Sequence, residues 1–161
     1  MSDGTALAER IAERRSGQGD PRDMVGELRR AVVLVPVDAG GLWTAELGGV
    51  RWICAFTGEE ALARFARARG GHRDAHDGAG QPDEWEYAAL RGARLLDEIV
   101  PAMGVPAGVA VDIAEPEGSM FFPPVVGIVP DAVAVDAPAT GGSPTTGAPT
   151  TAPTTHAEGG V

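Results

Sequence analysis

The chain has 161 residues and a formal net charge of −10, and its 13 basic residues are all arginines, set against 23 acidic ones. So acidic a surface repels nucleic acid and anionic membranes, and neither is an expected partner. A single cysteine, Cys54, excludes an intramolecular disulfide; the opening MSDGTALAERIAERR lacks the apolar stretch of a signal peptide, and no segment approaches the roughly 20 apolar residues that span a bilayer, so the cytoplasm is the expected location.

Three parts are expected in chain order: an N-terminal helix and linker over 1–23, an α/β domain over 24–136, and a disordered Thr/Pro/Gly-rich tail over 137–161. In the first part, Thr5 to Arg15 has helical character, with Leu7 and Ile11 four residues apart. Two apolar residues make a thin stripe, which predicts a peripheral helix or one used only with a partner. Ser16 to Pro21 breaks the chain, and a short helical turn over Met24 to Arg30 leads into the domain.

Ala31 to Val37 is a β-branched run and the first predicted strand, with Pro36 at its edge or end. Asp38 to Gly41 reads as a turn. Leu42 to Leu47 and Val50 to Phe56 follow as strands joined by the hairpin turn Gly48-Gly49. Val50, Trp52, Cys54 and Phe56 share one face, and Arg51, Ile53 and Ala55 the other. Apolar residues on both faces predict a central strand. Thr57 and Glu60 have the spacing of a capping box for a helix carrying Ala61, Leu62, Phe65 and Ala68, which Gly70-Gly71 should stop.

His72 to Pro82 reads as a polar loop, and Trp85 to Ala89 as a short strand. Ala93 to Val100 predicts an amphipathic helix ended by Pro101, and Val109 to Ile113 another strand. Ala132 to Val135 is a last short strand or an extended edge. The fold class expected is therefore α/β (α+β): a mixed β-sheet of about five strands, antiparallel hairpins first and then βαβαβ, the later strands adding in parallel and the helices packing on the sheet. Beyond Ala137, Pro-Thr-Thr occurs at Pro144, Pro149 and Pro153 with no apolar periodicity to offset ordering entropy.

Several side chains invite a chemical reading. His72, Asp74, His76 and Asp77 are metal-ligating types, but they sit among glycines with no rigid element to hold them, and a solvated loop is the simpler account; no metal and no cofactor are expected. Cys54 lies mid-strand between Trp52 and Phe56 and reads as an inert buried thiol rather than a nucleophile. Asp38 and Asp112 each fall near the C-terminal end of a predicted strand, where open α/β sheets place ligands, so they are the candidate ligand-binding pair; turn formation and strand capping explain them equally well. Trp43, Trp52 and Trp85 form a ligand-stacking wall or, more simply, core and edge packing. Phe121, Phe122 and Val125 belong to an apolar, proline-broken run that covers a sheet edge or docks a partner.

Ala31 to Asp38 (AVVLVPVD), Val50 to Thr57 (VRWICAFT) with Gly58-Glu59-Glu60-Ala61-Leu62, Gly92 to Asp97 (GARLLD) and Gly108 to Ile113 (GVAVDI) together resemble the N-terminal domain of the SseB family, the enhanced serine sensitivity proteins, in its actinobacterial form. The resemblance spans about residues 28 to 135. It implies a mixed α/β domain with no established catalytic residues, and similar domains occur in proteins associated with type VII secretion. The family name records a phenotype and supplies no reaction. Where fuller members continue into a C-terminal domain, this chain carries its Thr/Pro tail.

The expected function is a non-enzymatic interaction or regulatory module with an unidentified protein partner. One alternative is a small-ligand or metal-dependent enzyme using Asp38 and Asp112, with His72 or His76. The other is an accessory protein of type VII secretion.

Overall fold

The computed structural model describes residues 4–73 and 85–138, and of 70–73 the backbone only. His76, Asp74 and Asp77 and the tail from 139 lie outside the described residues. The fold is α+β, and its sheet is mixed. The elements run α1 (Gly4–Arg15), α2 (Pro21–Arg30), β1 (Val32–Asp38), β2 (Gly41–Leu42), β3 (Thr44–Leu47), β4 (Val50–Ala55), α3 (Glu59–Arg73) and β5 (Tyr87–Arg91). A composite helix over 92–102 (α4), then β6 (Ala107–Val111) and β7 (Met120–Phe122) complete the series. Among the described residues no helix is long and apolar enough to cross a membrane.

One sheet has the order β2-β1-β5 and the other β3-β4-β6-β7. Leu34 and Phe56 stitch them together by exchanging both backbone hydrogen bonds, each 2.8 Å. β4 pairs β3 antiparallel through the Gly48-Gly49 turn and β6 in parallel, so it is internal to its sheet, as its two apolar faces predicted. The expected second strand is in fact two. Leu42 pairs with β1 and Thr44 with β4, and the chain passes from one sheet to the other at Trp43, whose N–H donates to the Pro36 carbonyl at 2.8 Å.

Pro36 lies inside β1 rather than at its end. The Val37 N–H donates to Glu86, so odd-numbered residues bond toward β5, and alternation turns the Pro36 nitrogen away from that ladder, to the side where its carbonyl accepts from Trp43. β5 pairs β1 antiparallel and not in parallel. Its inward residues are Ala88 and Leu90, whereas Tyr87 and Ala89 point outward, the reverse of the face its alternation suggested.

The main core lies on one face of the sheets. Val33, Val35, Ile53, Val109, Val111 and Phe122 are buried there under α1, α2 and α4. The thin stripe of α1 is not peripheral: Leu7 and Ile11 are both fully buried, worth about 2 kcal/mol each. Arg15 staples the helix down by donating to the carbonyls of Ser119 (2.8 Å) and Pro116 (2.9 Å). The second helix starts earlier than its apolar pattern suggested. Asp20 caps it by accepting from the Arg22 N–H at 2.7 Å, and Pro21, with no N–H to lose, takes the first turn.

α4 joins an α-turn (Gly92–Arg94), a π-turn (Leu95–Ile99) and a closing turn (Val100–Ala102). It runs through Pro101 instead of stopping there. The ring would crowd the carbonyl four residues back in an α-helix, and the wider π-turn just before it relieves that conflict. Gly92 lies so close to α2 that a Cβ would stand 1.9 Å from the Leu28 carbonyl oxygen. The smaller cluster, on the opposite face, gathers Cys54, Phe56, Ala61, Leu62 and Phe65 beneath α3. α3 continues past Gly70-Gly71, because glycine weakens a helix by about 1 kcal/mol without forbidding it. The 132–135 segment is no strand: a 3₁₀ turn (Asp131–Val133) leads into Val135, whose N–H donates to Pro124.

Candidate functional site

The parallel strands β4 and β6 end side by side, and the chain leaves β4 there to enter α3. Asp112 follows β6 with a left-handed backbone (φ 51°) and is only 4 % exposed. Its side chain turns toward β4. Oδ1 accepts from the Thr57 N–H at 2.9 Å and Oδ2 from the Thr57 hydroxyl at 2.7 Å. Burial raises its pKa above the usual carboxylate value, and the two bonds from Thr57 partly oppose the rise. Among the described residues no capping-box bond joins Thr57 and Glu60: the Thr57 hydroxyl donates to Asp112, and the Gly58 carbonyl opens the helix by accepting from the Leu62 N–H.

Around this pair lies a cleft of ≈ 360 Å³. Thr5 and Ala8 of α1 form one wall, Glu60 and Arg64 of α3 another, and Glu115 and Gly118 the third. Arg64 pairs with Glu60 (2.6 Å) and with Glu115. The carboxylate of Asp112 thus has a structural task, tying the end of β6 to the start of α3. Among the described residues no group of three or more His, Cys, Asp and Glu side chains is placed to hold a metal ion.

Asp38 is elsewhere. β1 runs antiparallel to the β4 line, and Asp38 lies four residues beyond Leu34, the residue opposite Phe56, or about 13 Å along the strand and away from Asp112. It is exposed in the β1–β2 turn. The structure does not bring the two aspartates together, because their strands point in opposite directions. His72 falls within α3 by its backbone and not in a loop.

The tryptophans divide. Trp43 and Trp85 pack around Phe65, with centroids at 5.1 Å (Trp43–Phe65), 5.2 Å (Phe65–Trp85) and 6.3 Å (Trp43–Trp85). The Arg69 guanidinium lies over this wall, 4.4 Å from the Trp43 centroid and 5.8 Å from that of Phe65. Beside it, between α3 and the turn after β6, a groove of ≈ 440 Å³ is lined by Phe65, Ala68, Arg69, Ile113 and Ala114. Ala68 is exposed here, although helical spacing placed it in the core. Cys54 is buried, and its thiol is pushed up to about 12, chiefly by burial, so it holds no thiolate at neutral pH.

Trp52 belongs to a third place, the part of the sheet face that α3 leaves uncovered. Its ring lies over Gly108, where a Cβ would come within 2.8 Å of it, and meets Phe121 edge to face at 5.0 Å. By register, Ala45, Leu47 and Val50 share this face. Phe121 is 45 % exposed and Leu47 65 %. Phe122, expected beside Phe121 in a docking strip, points the other way into the core and is fully buried, as strand alternation in β7 requires. Val125 is half-buried in the turn that follows.

Sequence reasoning missed Arg69, Leu47 and the Thr57–Asp112 bond. Each depends on a neighbour far away in the chain, and only the Asp112 position, at a strand end, carried a signal. The chain matches no known family model, no characterised protein and no solved structure.

Proposed function

We propose that the chain is a non-enzymatic protein-interaction module, a reading in keeping with its resemblance to the SseB N-terminal domain. The observation that supports it is the uncovered sheet face at Trp52, Phe121, Leu47 and Val50, where aromatic and aliphatic side chains stand together at the surface. Contiguous exposed apolar surface of this kind marks a contact site, and aromatic residues dominate the energetics of such contacts. The partner presents an apolar surface of its own to this face. Asp38 and Asp112 have no part in the reading, since they lie apart.

The test uses the tagged full-length chain in its own host, with bound proteins identified by mass spectrometry. The comparison is a Leu47→Ser/Phe121→Ser double variant, whose two side chains are surface-exposed. A stoichiometric partner held by the native chain and lost from the folded variant is the expected result. Equal recovery on both, or no stoichiometric partner at all, overturns the proposal.

A further inference from the structure

Arg64 and Arg69 of α3 are held in different ways. Arg64 is neutralised by Glu60 and Glu115. Among the described residues no carboxylate is paired with Arg69; its guanidinium rests on the Trp43 ring instead. Trp43 is itself fixed edge to face by Phe65 and Trp85, so the cation is presented by a rigid support. Stacking uses the flat face of a guanidinium and leaves its N–H edge free to donate, in the fork geometry that matches a carboxylate.

Arg69 borders the ≈ 440 Å³ groove, where the other described lining residues, Phe65, Ala68, Ile113 and Ala114, carry hydrocarbon side chains. A groove that sets hydrocarbon side chains beside one cation is a usual build of a small-molecule site. We propose that this groove binds a small amphipathic monocarboxylate, with its carboxylate on Arg69 and its apolar body along Phe65, Ala68, Ile113 and Ala114. A monoanion fits better than a phosphate dianion, because a single guanidinium, with no carboxylate paired to it among the described residues, must hold it in a chain of net charge −10. A ligand cation does not fit, since Arg69 already occupies the Trp43 face. This site is separate from the Trp52–Phe121 face, so either proposal stands or falls without the other.

The experiment is calorimetric titration of the full-length chain with octanoate, compared with octyltrimethylammonium and 1-octanol. Octanoate is expected to saturate a single site and to bind more tightly than either comparator. Arg69→Gln should weaken it by about tenfold or more, the worth of a charge-assisted bond. Ala68→Phe, which fills the trough from an exposed position, should weaken it as well. Arg67→Gln, which removes the same charge from the same helix, should leave it unchanged. Thermal unfolding verifies that each variant is folded. No saturable binding to the native chain overturns the proposal, as does equal binding of octyltrimethylammonium or undiminished binding to Arg69→Gln or Ala68→Phe.

Discussion

The two faces of the four-stranded sheet are made by the same residues in alternation, yet they are finished differently. On one face Ile53, Val109, Val111 and Phe122 lie beneath α1, α2 and α4. On the other, among the described residues, α3 is the one helix over Cys54 and Phe56, and it does not reach the far end at Trp52 and Phe121. Three helical segments close an aliphatic core; one helix leaves a face to be completed by aromatic rings. Those rings stack edge to face on one another and on Gly108, and so remain ordered at the surface without full cover. Apolarity in a strand therefore marks what is able to be buried, while the number of helices decides what is.

The contrast is broken most severely from the closed face. Phe122→Ser should cost about 4 kcal/mol or more, from the cavity it leaves and the hydroxyl it buries, and urea unfolding would register it as a much lower midpoint. A loss under 1 kcal/mol would mean that the closed face is not closed.

The tie from the end of β6 to the start of α3, at Asp112, comes next. Asp112→Ala should cost about 3 kcal/mol, because the buried Thr57 donors lose their acceptor and alanine is poorly suited to φ 51°. Asp112→Asn keeps both the acceptor and a residue that tolerates that backbone, and should cost much less. The pKa of Asp112 is raised on folding, so the native state holds its proton more tightly than the unfolded chain. Its contribution to stability is accordingly full below the ordinary carboxylate pKa and is lost as pH rises through the raised value. Unfolding of the native chain and of Asp112→Asn, measured from pH 3.5 upward, should show that loss in the native chain only. Parallel curves would remove Asp112 as its source.

The smallest effect belongs to the open face. Leu47→Ser should change stability by no more than about 0.5 kcal/mol in the isolated chain, since the side chain is already in water. A larger loss would show that the face is covered after all.

Much of this architecture was legible in the residues. β1, β4, the Gly48-Gly49 turn, α3 and β6 announce themselves by β-branched runs, alternation and helical spacing, all of which are local. What stayed hidden is long-range. Nothing in Leu42 to Leu47 marks Trp43 as the point where the chain changes sheets, because both halves alternate alike. The two-residue stripe of α1 looks too thin to matter until the neighbours that bury it are known. Of the site, the position of Asp112 at a strand end was readable, but its partner Thr57 lies 55 residues away and looked like a helix cap. The separation of Asp38 from Asp112 depends on strand direction, which turn residues do not encode.

The anchoring of α1 also sets an order of events. Arg15 is held by carbonyls 101 and 104 residues further along the chain. During synthesis at about 5–20 residues per second, Arg15 waits on the order of 5–20 s for the carbonyls that receive it. Whatever α1 gains earlier from packing on α2, the Arg15 clasp is closed only by a segment made about a hundred residues later.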